Sequence, residues 1–158
     1  MYFDRAMGKD GTYIRIWICS PIFQPNKIPS SVKICSYKLA FDCSNNEAEY
    51  EALIAGLKIL KKLNAKRISF YGYSRLIIKQ VKGEYEGKHP QMTEYRNAVL
   101  DILRMFPYYT LICVPCTQNI IADSLATITS NLKIPTNCKN KYEIHVKHHP
   151  AVRDNLRY

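Results

Sequence analysis

The sequence predicts an α/β domain built on a mixed β-sheet. Its first part contains three strand-like runs, at residues 2–5, 11–19 and 31–41, and the last two alternate between apolar and polar residues. Short connections between these runs favour antiparallel pairing. Farther along, two more strand-like runs are separated by segments with helical apolar spacing, which favours parallel pairing. Together these observations predict a five-stranded mixed sheet flanked by helices.

The individual elements follow from the same periodicities. Ile14, Ile16 and Ile18 share one face of the second strand, so that face is expected to be buried. The first helix is predicted from apolar residues that recur at helical spacing up to Leu63. The predicted helices cover 45–64, 74–82, 91–106 and 119–130, and the two later strands cover 67–73 and 108–114. The resulting order is βββ-α-β-α-α-β-α.

The charge balance indicates an anionic partner. Lysine and arginine total 23 against 13 acidic residues, a formal net charge of +10, which favours nucleic acid first and an acidic membrane surface second. No apolar run is long enough to span a bilayer, so no membrane partner is expected. Six cysteines without a secretory signal predict reduced thiols and an intracellular location, with cytoplasm and nucleus both open.

The predicted globular domain covers residues 1–131. From Leu132 onward basic residues and histidines accumulate, and only Tyr142–Val146 has a strand-like pattern. Residues 132–158 are therefore predicted to be a basic tail or linker, which is poorly ordered unless it docks.

Three carboxylates matter more in combination than each one does alone. Glu49 lies near the apolar stripe of the first helix, although a capping box starting at Asn46 or at Ser44 also explains acids at this helix start. Asp4 lies inside a strand, where an exposed edge position would explain it, and Asp123 lies in a first helical turn, which the helix dipole favours. Carboxylates that converge at one end of a sheet require divalent cations between them, and hard oxygen ligands suit Mg²⁺.

The run from Tyr2 to Ser130 resembles the ribonuclease H domain of plant Ty3/gypsy-like retrotransposon polyproteins. The resemblance lies in the order and spacing of elements and in three motifs: Asn45-Asn46-x-x-Glu49, Lys79–Tyr85 and Gln118–Ala126. It implies a ribonuclease H-like fold in which Asp4, Glu49 and Asp123 are catalytic and hold two Mg²⁺ ions. It also implies that Asn45 and Asn46 contact the backbone of an RNA–DNA hybrid near the cut.

Some positions depart from the family pattern. The family's third acid falls on Tyr73, a bulky phenol in place of a carboxylate. The glycine that usually follows the first acid is Arg5, which cannot reproduce the close backbone approach of glycine. Arg75 stands where a small polar or acidic residue is usual, and Cys116 stands where an arginine is usual. The resemblance therefore implies an active site that lacks one metal ligand.

Basic residues around the short helix form the predicted binding edge for nucleic acid. For any single lysine, a solvated surface position is sufficient explanation. As a group they fit phosphate contacts, which position a duplex without reading its sequence. The residues are Lys79, Lys82, Lys88 and Arg96.

These observations predict a retrotransposon-derived domain that binds RNA–DNA hybrid. The ancestral reaction is Mg²⁺-dependent hydrolysis of the RNA strand, and with Tyr73 in place the activity is expected to be weak or absent. Two alternatives remain open: a non-catalytic nucleic-acid-binding module, and a structural module like the connection domains of reverse transcriptases. The strand that starts directly after Met1 fits a piece of a longer polyprotein, in which reverse transcriptase and integrase parts would be the partners.

Overall fold

The computed structural model describes residues 1–19, 32–86, 89–114 and 141–152. In these ranges the chain forms six strands and three helices. They are β1 (Tyr2–Gly8), β2 (Gly11–Cys19), β3 (Val32–Leu39), α1 (Asn45–Lys62), β4 (Arg67–Gly72), α2 (Arg75–Lys82), α3 (Pro90–Leu103), β5 (Tyr108–Cys113) and β6 (Lys141–Lys147). The helix predicted at 119–130 lies outside the described residues. No helix in the described ranges is both long enough and apolar enough to cross a membrane.

The strands form one mixed sheet in the order β5-β4-β1-β2-β3-β6. The β1–β2 and β2–β3 pairs are antiparallel, whereas β1–β4, β4–β5 and β3–β6 are parallel. The predicted mixed sheet is confirmed, but it has six strands rather than five. Because β1 lies between β2 and β4, the two strands expected to supply acidic positions of the site are neighbours.

The core lies between α1 and the strands β1 and β2. Leu53 and Leu57 of α1 and Ile14 of β2 are completely buried. Gly56 lets α1 approach Met1, which directly precedes β1, because a Cβ at this position would overlap the sulfur of Met1. The sheet-facing side of α1 is thereby held directly against β1.

The segment predicted to be a basic tail contains the sixth strand. Residues Lys141–Lys147 pair in parallel with Lys33–Leu39 of β3, and Val152 beyond them is buried in the core. Residues 141–152 are thus docked on the domain, which is the case that the prediction of a basic tail or linker left open. The boundary predicted between 131 and 132 lies outside the described residues and stays a prediction.

A buried carboxylate of α1 anchors the docked segment. Glu51 is 0% exposed and accepts hydrogen bonds from Lys147 Nζ and from the backbone N–H of Ala151, both at 2.7 Å. Its Oε1 also accepts a hydrogen bond from the Tyr95 hydroxyl of α3 at 2.6 Å. Every polar group in this cluster therefore has a partner, as a buried charge requires.

Candidate functional site

Asp4 lies in the central strand β1, opposite Arg15 of β2 in the antiparallel register. Its Oδ1 accepts a hydrogen bond from the backbone N–H of Arg5 at 2.8 Å. Burial raises the pKa of Asp4, whereas that hydrogen bond and the charges of Arg15 and Arg5 oppose the rise. An acid inside this strand is thus supported by one donor and two cations.

Glu49 lies on the sheet-facing side of α1 and is 7% exposed. Ser44 is the N-cap of the helix, and its Oγ accepts a hydrogen bond from the Glu47 N–H at 3.2 Å. The capping role therefore falls to Ser44 rather than to Asn46. Glu49 instead faces Arg5, with 3.8 Å between Nε and Oε1. Its other oxygen, Oε2, is buried and has no hydrogen-bond partner within the described part of the chain.

The electrostatics join Asp4 and Glu49 into one unit, called the carboxylate pair below. Burial first, and the charge of Asp4 second, raise the pKa of Glu49 to about 7. The charge and the backbone N–H of Arg5 act in the opposite direction. Because the charge of Asp4 contributes to the raised pKa of Glu49, the two acids are electrostatically coupled. Arg5 is therefore the shared counter-charge of the pair.

Tyr73 is the residue predicted to stand where the resembling family has its third acid. It directly follows β4, whose Gly72 is the parallel partner of Phe3, so Tyr73 lies at the level of Asp4. Tyr73 is half-buried and brings a phenol, not a carboxylate, to this end of the sheet. Asp123, the last predicted acid, lies outside the described residues.

The residues present fit one divalent cation. The described ranges contain no group of three or more His, Cys, Asp or Glu side chains placed to hold a metal ion. They do contain the carboxylate pair, and the buried Oε2 of Glu49 still lacks a donor. Oxygen ligands of this kind suit a hard cation such as Mg²⁺. Asp4 and Glu49 are thus the described residues that could hold such an ion, and Asp123 is the predicted third.

Two of the predicted nucleic-acid contacts lie at the start of α1. Asn45 is the first residue of the helix and is exposed, and Asn46 is half-buried. Both lie about one turn before Glu49, at the same end of the helix. A strand of nucleic acid near the carboxylate pair would pass these amides.

The basic residues predicted as a binding edge have different surroundings. Lys79 and Lys82 lie in the last turn of α2, and Lys82 is exposed. The Nζ of Lys79 lies 4.9 Å from the centre of the Tyr85 ring, a cation–π contact that leaves the ammonium available at the surface. Lys88 lies outside the described residues. The end of α2 therefore presents two positive charges.

Arg96 has a structural role that the sequence did not indicate. Its Nε donates to the backbone carbonyl of Gln80 at 2.6 Å, and so it ties α3 to the last turn of α2. Gly83 ends α2 in the left-handed conformation, with φ of 81°, and lies close to the Arg96 guanidinium. Arg96 therefore contributes its own positive charge and also helps to position Lys79 and Lys82 at the end of α2.

Sequence reasoning also missed Arg15 and Glu51. Alternation placed Arg15 on the face of β2 opposite Ile14, but only the register shows that its partner is Asp4. Glu51 was not singled out in the sequence, and its buried contacts come from Tyr95 of α3 and Lys147 of β6. No local pattern in the sequence reports either contact.

A central mixed sheet of this order, with an acid of the first helix facing an acid of the first strand, defines a ribonuclease H-like domain. The model of the family described as "Reverse transcriptase-like" matches residues 31–129, which is more than half of the chain. The chain therefore belongs to the reverse transcriptase-like family.

Relatives of known sequence agree with this assignment. Ribonuclease HI of Halobacterium salinarum is 34% identical over 83 residues, which cover 52% of this chain and 42% of that protein. The bifunctional protein Rv2228c of Mycobacterium tuberculosis is 34% identical over 83 residues, covering 52% of this chain and 23% of the relative. The match thus spans less than half of the length of either relative.

Solved structures extend the similarity over most of the fold. RNase H1 from the halophilic archaeon Halobacterium salinarum superposes with a TM-score of 0.64 at 25% identity, covering 82% of this chain and 95% of that one. LC11-RNase H1 in complex with an RNA/DNA hybrid gives a TM-score of 0.59 at 25% identity, covering 83% and 96%. The predicted ribonuclease H-like fold is confirmed.

Proposed function

We propose that this chain is a retrotransposon-derived ribonuclease H-type domain that binds RNA–DNA hybrid and cuts its RNA strand weakly or not at all. The family and the similarity to LC11-RNase H1, which was solved with an RNA/DNA hybrid, support the choice of ligand. The formal net charge of +10 supports an anionic ligand. The observation that carries the proposal is the carboxylate pair, Asp4 and Glu49, held between β1 and α1.

Asp4, Glu49 and Asp123 are the residues that would hold the divalent cation. When bound, Mg²⁺ supplies Lewis-acid stabilisation to a phosphodiester and to an attacking water. The chain contributes orientation: the Arg5 N–H fixes Asp4 Oδ1, and α1 directs Glu49 toward the sheet with Oε2 open. Asn45 and Asn46 would guide the backbone of the hybrid past the pair.

The binding edge would consist of Lys79, Lys82, Lys88 and Arg96. Lysine contacts to phosphate hold a duplex in place without reading its sequence. Because Arg96 ties α3 to the last turn of α2, its position relative to Lys79 and Lys82 is fixed. Such an edge suits recognition of a hybrid by its shape and its 2′-hydroxyl groups.

Two residues argue for reduced cleavage. Tyr73 supplies no carboxylate where the family has its third acid, so a second ion would lack a bridging ligand. Arg5 places a guanidinium beside Glu49, 3.8 Å from Nε to Oε1. Both changes lower the negative charge available to divalent cations.

The same proposal places the chain in a polyprotein of a plant Ty3/gypsy-like element. Its motifs around Glu49 and Asp123, together with the reverse transcriptase-like family, support that origin. The reverse transcriptase and integrase parts of the element would be its partners.

Cleavage of a labelled RNA–DNA hybrid in Mg²⁺ and in Mn²⁺ tests the proposal. We expect little or no product from the natural chain and clear cleavage from Tyr73→Asp, because the substitution restores the missing acid. The matched control is Tyr73→Asp combined with Glu49→Gln, which should be inactive. Efficient cleavage by the natural chain, abolished by Glu49→Gln, would contradict the loss of activity.

A non-catalytic nucleic-acid-binding module is the second candidate, and the contact between Arg5 and Glu49 favours it. This candidate predicts that Tyr73→Asp also fails to cut, while hybrid binding persists and weakens steeply as salt rises. A structural, connection-like module would bind hybrid no better than it binds other polyanions.

A further inference from the structure

Arg5 occupies an unusual place in the site. It lies in β1 directly after Asp4, and its guanidinium reaches toward α1, with Nε 3.8 Å from Glu49 Oε1. Its side chain is 29% exposed and that of Glu49 is 9% exposed. Its backbone N–H meanwhile donates to Asp4 Oδ1 at 2.8 Å. One residue thus contacts both members of the carboxylate pair.

The surroundings explain why such a cation is needed. Two carboxylates in a shielded site repel each other and require positive charge nearby. Arg15 lies opposite Asp4 in the register, and its charge acts on that acid. Among the described residues, Arg5 is the basic residue with an ion pair to Glu49.

We propose that the Arg5 guanidinium is a resident counter-ion of the carboxylate pair, which competes with Mg²⁺ or Mn²⁺ for Asp4 and Glu49. The site would then remain nearly neutral without metal. A phosphate backbone could approach it without the repulsion that two bare carboxylates would exert. Hybrid binding by the natural chain is therefore expected to be independent of Mg²⁺, apart from the general effect of ionic strength.

The geometry around Glu49 leaves one of its carboxylate oxygens available to a metal ion. Oε2 of Glu49 is buried and has no partner in the described ranges, so the pair keeps one open ligand position. Arg5 engages Oε1 at 3.8 Å, which is an ion-pair distance but longer than a good hydrogen bond. A contact of this kind holds charge in place and still yields to a stronger cation.

Metal affinity measured without nucleic acid tests this directly. Mn²⁺ and Mg²⁺ are titrated by calorimetry into the natural chain, Arg5→Gln, Arg5→Lys and the control Lys38→Gln. Lys38 pairs with Asp10 on an exposed part of the sheet, so its loss changes the net charge equally but leaves the site intact. We expect Arg5→Gln to bind Mn²⁺ about tenfold more tightly than Lys38→Gln, because a positive charge leaves the pair. Arg5→Lys should stay near the natural affinity.

A double variant identifies the ligand. Arg5→Gln combined with Glu49→Gln should lose the gain in Mn²⁺ affinity, since the gain requires the Glu49 carboxylate. Arg5→Gln should also show a thermal midpoint that rises with Mn²⁺, because a ligand that binds only the folded state stabilises it. Equal Mn²⁺ affinity in Arg5→Gln and Lys38→Gln would overturn the inference.

The natural chain provides a readout that needs no variant. In a ¹⁵N-edited NMR spectrum, the Nε–H resonance of Arg5 should shift as Mg²⁺ is added, because the ion displaces the guanidinium. Metal binding that leaves this resonance unmoved would also overturn the inference. This inference rests on the proposed function, which identifies Asp4 and Glu49 as the metal-binding acids. The two can fail separately, because metal affinity tests the role of Arg5, whereas cleavage and binding of the hybrid test the proposed function.

Discussion

At the residue scale, Glu49 is the side chain in which burial and charge oppose each other most directly. It is 7% exposed, has one cation at 3.8 Å and keeps one oxygen without a partner in the described ranges. Its pKa rises to about 7 as a result. The folded chain therefore favours the protonated acid, whereas metal binding requires the carboxylate.

This conflict predicts how stability depends on pH. The folded pKa of Glu49, about 7, exceeds the reference value of 4.5, so its favourable contribution is complete below about 4.5 and is lost as pH rises toward 7. As pH rises from about 4.5 to about 7, the unfolding free energy of the natural chain should fall by roughly 3 kcal/mol relative to that of Glu49→Gln. Urea denaturation of both proteins from pH 4.5 to 8 measures the difference.

The sign of that difference is the decisive result. Glu49→Gln removes the ionisation of Glu49 and keeps Arg5 and Arg15, so the difference between the two proteins reports the ionisation of Glu49 together with its coupling to Asp4. If the difference in unfolding free energy between the natural chain and Glu49→Gln does not change with pH, Glu49 is not held in a site that favours its protonated form.

At the scale of elements, α1 connects the candidate site to the C-terminal strand. Glu49 faces β1, while Glu51, two residues later, faces α3 and the segment after β6. Two sides of the same helical turn thus contact two different neighbours. Docking of residues 141–152 therefore also restrains the part of α1 that carries Glu49.

Lys147→Met should weaken this docking. The substitution removes a hydrogen-bonded cation from Glu51, which is 0% exposed, and leaves that carboxylate with less compensation. Removal of one partner of a buried ion pair costs about 3 kcal/mol. Urea denaturation measures the loss, and hydrogen exchange should show faster exchange in β3 and β6 before the other strands.

Lys38→Met is the matched control for that experiment. Lys38 lies on β3, the strand next to the β6 strand of Lys147, and it also pairs with a carboxylate, Asp10, at 2.8 Å, but this ion pair is largely exposed. Exposed pairs contribute little, so its stability should be unchanged. If both lysine variants behaved alike, Glu51 would not be an anchor of the C-terminal segment.

At the scale of the whole molecule, positive charge is expected to control how strongly nucleic acid binds. The formal net charge is +10, and Lys79 and Lys82 lie together at the end of α2. Phosphate contacts release counter-ions, so each contact adds to the salt dependence of binding. The position of the charges, and not only their sum, is what an experiment has to resolve.

Lys79→Ala with Lys82→Ala should reduce the slope of log affinity against log salt by about 1 to 2. The matched control is Lys61→Ala with Lys62→Ala, which removes two charges from the last turn of α1, at the end of the helix away from Glu49. Hybrid binding measured by fluorescence anisotropy at several salt concentrations gives both slopes. If the α2 double variant and the α1 control gave the same slope, the hybrid would not bind at the end of α2.

Much of the architecture was predictable because it depends on local periodicity. The helix predicted at 45–64 occurs at Asn45–Lys62, and the stripe of apolar residues correctly placed Glu49 on its sheet-facing side. The strands around Ile14 and Ile16 followed from alternation. The departure at Tyr73 stays a prediction from motif position, and the structure adds that Tyr73 directly follows Gly72, the parallel partner of Phe3.

The sequence by itself determined the fold class and the mixed sheet, because periodicity and motif spacing are properties of neighbouring residues. Only the tertiary structure decided that residues 141–152 add a sixth strand, that Glu51 anchors them and that Arg5 is the counter-charge of the carboxylate pair. Each of these depends on register or on packing between distant segments. The free energy of a buried charge is set by such neighbours in space, which the order of residues along the chain does not specify.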